Sequence, residues 1–389
     1  MLISADAYRK ALALPDLTDP AYGPHALQLL VQDAVAALRE TWGCDVIVHR
    51  AHPLVSVADN YELLGYAPDA TARDARYTRY VRETEVLRTH TSAVIPGLLR
   101  SLAHAAYEDV LLVCPGLVYR RDRIDRLSVG EPHQLDLWRL CRGALYGDDL
   151  ESMIEVVVGA LVPGAAYRCL PAVHPYTRDG LEVEARAGET WVELLECGLA
   201  APEVLSRAGL PADHSGLAMG IGLDRALMLR KSIDDIRLLR SSDPRVTTQM
   251  RDLEPYRPVS DQPPVKRDLS IAVAAETTAE ELGDRVRAGL GDRADAVEAI
   301  EVLAETPGEE LPEHAAERLG LQPGQKNVLL RVVLRHPTKT LSDSEANKLR
   351  DAVYAAVHEG TEWTWAVRRP HARSGSRSSS SRSPRTPRV

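Results

Sequence analysis

Residues 216–225 read Gly216-Leu-Ala-Met-Gly-Ile-Gly-Leu-Asp-Arg225. The run 216–222 leads straight into a helical pattern, Asp-Arg-Ala-Leu-Met-Leu-Arg-Lys, ending at Lys231. The string Gly220-x-Gly222-x-x-Arg225 superficially resembles a dinucleotide-binding loop. No GxGxxG follows a parallel strand here, however, and arginine stands where the third glycine belongs, which argues against a Rossmann unit. Gly220 and Gly222 instead let the backbone approach a ligand, and Arg225 at a helix start suits phosphate.

Upstream, Trp-Val-Glu-Leu-Leu-Glu-Cys (191–197) alternates like a half-buried strand, and residues 26–41 place apolar side chains at i, i+3, i+4 and i+7 of a helix. Short β-like runs at 44–49, 109–114 and 116–119 alternate with helical ones around 92–107, and a further helix is expected at 149–161. This pattern predicts an antiparallel sheet flanked by helices, an α+β arrangement. A turn-rich segment over 241–264 reads as a linker. Beyond it the expected order is strand 268–274, helix 278–290, strands 297–304 and 328–335, helix 342–358 and a short terminal strand, a ferredoxin-like β-α-β-β-α-β unit. The Ser/Arg/Pro-rich residues 370–389 cannot bury apolar surface and read as a disordered tail.

Two more stretches carry chemistry. Leu87-Arg-Thr-His-Thr-Ser92, taken alone, is a polar strand-to-helix junction with Thr91 or Ser92 as N-cap. Tyr119-Arg-Arg-Asp-Arg-Ile-Asp125, followed by His133-Gln-Leu-Asp136, fits either a β-hairpin with a solvated tip or a pair that aims a guanidinium and a carboxylate into a cleft.

Together and in this order, the three stretches resemble the motifs of class II aminoacyl-tRNA synthetases, and specifically the phenylalanyl-tRNA synthetase catalytic subunit. Residues 87–92 resemble that family's amino-acid-site string, 119–136 its motif 2, and 216–239 its motif 3. The segment with Pro263-Pro-Val-Lys-Arg-Asp-Leu-Ser270 and Thr340-Leu-Ser-Asp-Ser-Glu-Ala-Asn347 is similar to the anticodon-binding domain that ends the family's organellar single-chain enzymes. The resemblance covers about 26–250 and 262–366. It implies an N-terminal segment (1–25), a class II catalytic domain (26–250), a linker (251–261), a ferredoxin-fold anticodon-binding domain (262–369) and the tail (370–389).

The resemblance further implies ATP-dependent activation of phenylalanine through an aminoacyl-adenylate and its transfer to tRNA(Phe), with ATP and Mg²⁺ as cofactors. His90, Ser92, Gln134 and Asp136 are expected around the substrate amino group; Asp136 is shorter by a methylene than the family's usual glutamate. Arg120 is expected on the α-phosphate of ATP and Arg225 on the far phosphates. Glu193 is expected on Mg²⁺ or nucleotide, with Gly220 and Gly222 beside it. In-line attack at phosphorus is catalysed mainly by positioning and by cations that neutralise charge, so these residue types suit the reaction.

Several positions depart from the family pattern. Ser128 stands for the histidine that reaches the phosphate, and Pro132 for the aromatic on which adenine stacks. The Phe-Pro-Phe-Thr-Glu pocket string reads His174-Pro-Tyr176-Thr-Arg178, and a family glutamine is Ile95. Ala218 keeps the small residue that leaves room at the far end of the substrate ring. His174 and Tyr176 either meet a substrate hydroxyl or bond each other, water or backbone while presenting aromatic faces. Two alternatives follow: a paralogue activating another aromatic or hydroxylated amino acid, and a catalytically weak tRNA-binding regulatory protein.

Composition sets the frame. The 389 residues are 44% hydrophobic and 26% charged, room for two or three domains and unlike a disordered chain or a disulfide scaffold. Five cysteines stand at least 27 residues apart with no CxxC, so reduced thiols are expected rather than a zinc site or disulfide framework. No stretch has the length of a membrane span, and the N-terminus lacks a long apolar region, so a cytoplasmic protein without membrane contact is expected. Net charge is −9, but residues 368–389 hold seven arginines and no acid, leaving 40 bases against 56 acids before them, or −16. An acidic body restricts nucleic-acid contact to local patches. The chain has no phenylalanine, where a dozen or so are expected at roughly 3–4% usage. The sequence leaves both a monomer and a homodimer open.

Overall fold

The computed structural model describes residues 2–259 and 263–363. The tail expected over 370–389 lies outside the described residues, and the closing strand expected after 358 does not begin among those up to 363.

In chain order the first strands are β1 (Asp45–Val48), β2 (Leu54–Ser56), β3 (Tyr80–Arg82), β4 (Glu85–Leu87), β5 (Asp109–Leu117) and β6 (His133–Arg142). There follow β7 (Tyr167–Pro171), β8 (Thr177–Ala187), β9 (Thr190–Ala200) and β10 (His214–Gly222). Seven of these form one sheet in the order β1-β5-β6-β10-β9-β8-β7. Every pairing in it is antiparallel except β1 with β5, which run parallel at one edge. A small sheet, β2-β4-β3, carries the Leu87–Ser92 stretch up to the large one.

Strand alternation gives the large sheet two different faces. Leu111 and Val113 of β5, Leu135 and Leu137 of β6, and Leu217, Met219 and Ile221 of β10 point to one side. There they meet helix Ala26–Trp42 through Leu27, Leu30, Ala34 and Leu38, and helix Gly147–Leu161 through Leu150, Met153 and Val157. The first helix starts at His25, whose ring accepts from the Leu27 N–H (3.2 Å), and stops at Gly43, which takes a left-handed φ of 66°. The opposite face turns Asp136, Trp138, Ala218 and Gly220 towards helix Ile95–Leu102 and the loops around it. That face holds the site.

The second sheet, β11 (Val265–Ala274), β12 (Val297–Pro307) and β13 (Gln325–Leu334), has the order β11-β13-β12 and is antiparallel throughout. Helices Ala279–Leu290 and Asp343–Val357 cover it, each opened by a reciprocal cap, Thr278 with Glu281 and Ser342 with Glu345. A short helix, Glu313–Leu319, adds to the expected order. Its apolar cluster has an outside member: Ile124, from the loop between β5 and β6, is 7% exposed among these side chains. The loop 118–132 is therefore not a solvated hairpin tip. Arg287 donates to the carbonyls of Asp122 (2.5 Å) and Arg123 (2.7 Å), and the Ile300 N–H donates to the Ile124 carbonyl (2.9 Å).

Candidate active site

The site is built on three successive levels of β10, about 6.6 Å apart along the strand. Gly222 faces Gln134 of β6, Gly220 faces Asp136, and Ala218 faces Trp138. On the other side β9 sets Glu196 beside Gly220 and Gly198 beside Ala218. The glycines leave the strand surface bare at the first two levels. A cavity of about 500 Å³ opens over it.

Arg120 and Arg225 line this cavity together with Glu193 and Gly222. Arg225 stands in the first turn of helix Leu223–Lys231 and donates to Glu193 Oε2 at 2.9 Å. Arg120 continues the β5 ladder, its N–H bonded to the Gly130 carbonyl (2.8 Å), and its buried Nε has no hydrogen-bond partner. Ser128 and Pro132 lie on the wall of the same cavity. His90, Ser92, Gln134 and Asp136 line its other part, with Tyr66 and Tyr176.

The Leu87–Ser92 stretch does not cap its helix by side chain. His90 occupies the N-cap position of the 3₁₀ turn Thr91–Val94 without a side-chain cap bond, and Thr91 Oγ1 donates instead to Asp136 Oδ2 at 2.6 Å. Burial pushes the Asp136 carboxyl up, against hydrogen bonds from Thr91, Ser92 and Trp138 that stabilise its charge. An arriving ammonium would favour the carboxylate. Burial, with Arg120 adding repulsion, holds His90 down at about 4, so its ring is neutral at pH 7. Both His90 ring nitrogens are buried without a hydrogen-bond partner, while the ring stacks on Tyr66 at 5.7 Å. Orphaned polar atoms of His90 and Arg120 around one cavity mark it as built for a polar ligand.

Two expected residues sit behind the wall rather than on it. His174 is 9% exposed, its Nδ1 is 3.1 Å from Thr177 Oγ1, and its ring stacks on Tyr176 at 5.8 Å. Ala218 is 1% exposed, beneath Trp138 and Tyr176, whose rings stack at 6.1 Å. The space above Ala218 is thus taken by side chains of the chain itself.

Glu196 and Tyr66 belong to the cavity wall but were not singled out in the sequence. A strict two-residue period would send Glu193 and Glu196 to opposite faces. The pairing of β8 with β9 slips by one residue, from Val183–Leu195 to Glu184–Glu193, so that Leu194 is an extra residue in β9. Leu194 and Leu195 are both buried in the core, and both glutamates reach the cavity. The Leu-Leu pair within an otherwise alternating run was the available signal; Tyr66 had none.

Among the described residues no group of three or more His, Cys, Asp or Glu side chains is gathered to hold a metal ion alone. A Mg²⁺ that keeps its waters and bridges phosphates needs only one or two carboxylates. Glu193 offers one, 45% exposed, and neighbouring Glu182 is held above the usual carboxylate range by its partial burial and by Glu193, Glu184 and Glu196. A cation bound with phosphates would relieve that crowding, so the residues present fit it. Among the described residues no helix is long and apolar enough to cross a membrane.

Comparison with known proteins agrees with this geometry. Residues 33–250 match the family described as tRNA synthetases class II core domain (F), and residues 260–365 match the ferredoxin-fold anticodon binding domain. The phenylalanine–tRNA ligase alpha subunit of Nostoc punctiforme is 34% identical over 193 residues, which are 49% of this chain and 56% of that protein. The chain thus spans little more than half the length of that relative. The chloroplastic/mitochondrial phenylalanine–tRNA ligase of Arabidopsis thaliana is 28% identical over 321 residues, 79% of this chain and 70% of the relative. A probable mitochondrial phenylalanine–tRNA ligase of Drosophila melanogaster is 26% identical over 369 residues, 80% and 77% respectively. With the family's core domain matching more than half of the chain, and with motif residues of all three stretches lining one cavity, the chain belongs to the class II tRNA synthetases.

Proposed function

We propose that this chain is an ATP-dependent phenylalanine–tRNA ligase. The observation that carries the reading is one cavity lined by two arginines, Arg120 and Arg225, and by the amino-group acceptors Gln134 and Asp136. Arg120 holds the α-phosphate of ATP and Arg225 the far phosphates. His90, Ser92, Gln134 and Asp136 hold the amino group, so that the amino-acid carboxylate oxygen lies in line with the α-phosphorus. That oxygen forms a bond to phosphorus, the bond to the bridging oxygen breaks, and pyrophosphate leaves. A terminal hydroxyl of the tRNA then attacks the adenylate carbonyl and AMP departs. Both steps draw on positioning and fixed positive charge, and neither needs a protein nucleophile. Glu193 would hold a Mg²⁺ ion, which would supply further charge neutralisation when bound.

Residues 26–250 serve as the catalytic domain, 251–261 as the linker, and 262–369 as the module that grips the anticodon side of tRNA(Phe). The two family matches, a class II core over 33–250 and a ferredoxin-fold anticodon binding domain over 260–365, support that division of labour. A cytoplasmic or organellar matrix setting, with reduced thiols, suits the five cysteines, none of which is disulfide-bonded.

ATP–pyrophosphate exchange across the amino acids, followed by aminoacylation of tRNA(Phe), tests the reading. Phenylalanine-dependent exchange together with tRNA charging is the expected result. Exchange with no amino acid, alongside intact tRNA binding, would replace it with a tRNA-binding role.

A further inference from the structure

The wall facing Gly220 is unusual in its chemistry. Asp136 approaches it from β6 and Glu196 from β9, so two carboxylates flank one bare glycine, their backbones about 10 Å apart across two strand spacings. Ser92, His90, Tyr66 and Tyr176 line the same cavity. The apolar side chains on the cavity wall, such as Leu127, Val129 and Ile236, belong to other segments. Behind this wall, Trp138 and Tyr176 cover Ala218, so a substrate side chain anchored by its amino group at Asp136 is turned along the sheet towards Glu196.

We propose that Glu196, set in place by His174, is a specificity-determining residue that offers a hydrogen-bond acceptor to the substrate side chain. The site then takes phenylalanine analogues carrying a hydroxyl or amino group on the ring at least as readily as phenylalanine. The inference rests on the reading of this cavity as an amino-acid-activating site.

Three further observations support it. His174 is nine-tenths buried, and its Nε2 lies 3.4 Å from Glu196 Oε1, a contact that occupies at most one of the carboxylate's lone-pair sites and leaves the others able to accept. His174, against the opposing effect of burial, and Arg120 hold the Glu196 carboxyl below its ordinary range, leaving it charged at neutral pH. Its side chain is 42% exposed, open to the cavity rather than sealed in the core. An unsubstituted ring would press against a charged oxygen and give it no donor, whereas a phenol or aniline supplies one. The chain itself contains no phenylalanine, so an enzyme of this selectivity would not place the analogue in its own sequence.

The test is ATP–pyrophosphate exchange by the full chain with phenylalanine, tyrosine, meta-tyrosine and para-aminophenylalanine, in the unmodified protein and in Glu196→Ala and Glu196→Gln. In the unmodified protein, kcat/KM for the best substituted ring should equal or exceed that for phenylalanine. Glu196→Ala should lower the ratio of substituted ring to phenylalanine at least tenfold. Glu196→Gln, nearly isosteric and still an acceptor, should lower it less, which guards against a folding defect. Phenylalanine favoured more than tenfold, with a ratio unmoved by either variant, would overturn the inference. Calorimetric binding of the same four amino acids without ATP gives the ratio independently of catalysis. If no amino acid supports exchange, the proposed activity fails, while the binding ratio still decides the role of Glu196.

Discussion

Asp224 binds His133 twice. Its Oδ1 lies 2.8 Å from the ring Nδ1, and its Oδ2 accepts the His133 backbone N–H at 2.9 Å. Both side chains are almost fully buried. The far ring nitrogen accepts the Leu17 N–H at 3.1 Å, which assigns the ring proton to Nδ1. This pair ties the strand bearing Gln134 and Asp136 to the helix turn bearing Arg225, and so fixes the distance between those two parts of the cavity wall.

Asp224→Asn should therefore loosen both parts at once. The new amide would turn a donor towards the His133 N–H, leaving one buried donor unpaired at a cost of about 2–3 kcal/mol. Denaturant titration should show that loss, and exchange kinetics a raised KM for both ATP and amino acid. Burial alone would push the Asp224 carboxyl up, but its interactions with His133, the two hydrogen bonds included, and nearby Arg240 together outweigh burial, and the net position is low. Its contribution is therefore present above the ordinary carboxyl value of 3.8 and lost as the pH falls through the lower folded one.

Arg120→Ala and Arg225→Ala should each lower exchange by at least about 100-fold, the scale of losing one transition-state charge contact. Near-normal exchange in both variants would refute the assignment of the two arginines. The partners differ, however: Arg225→Ala frees the Glu193 carboxylate, so raising Mg²⁺ should recover part of its activity and none of that of Arg120→Ala.

Histidine burial sets the acid limit. Burial holds His25 and His90 at about 4 against an ordinary 6.5. Between those values the unfolded chain binds protons that the folded one does not, so stability falls as the pH drops from 6.5 towards 4 and is flat in this respect above it. The slope should approach about 1.4 kcal/mol per pH unit for each histidine. Urea midpoints at pH 7, 6 and 5 measure it. His90→Gln should flatten the dependence, and an unchanged slope would show that His90 is already charged in the folded state.

Ile124→Ala tests the tie between the β5–β6 loop and the second sheet. Removing a side chain that is 7% exposed within that apolar cluster should cost about 2–5 kcal/mol of stability there. Because the same loop carries Ser128 and leads to Pro132, the KM for ATP should rise with it. A thermal transition shifted without any change in KM would show that the loop holds its shape unaided.

The sequence alone determined what local rules govern. Apolar spacing placed the helices at 26–41 and 342–358 within a residue or so of Ala26–Trp42 and Asp343–Val357, because one buried stripe and a cap suffice to define each. Motif order singled out Arg120, Arg225, Gln134 and Asp136, and the fold brings all four to the wall of one cavity. What only the tertiary structure decided depends on register and on contacts distant in sequence. A single extra residue, Leu194, turned Glu196 onto the same face as Glu193, and no local pattern announces a bulge that its partner strand imposes. Trp138 closed the space over Ala218 because the two are paired across strands 80 residues apart. Ile124 left the surface because a second sheet lies over its loop, and burial there comes from side chains more than a hundred residues further along the chain.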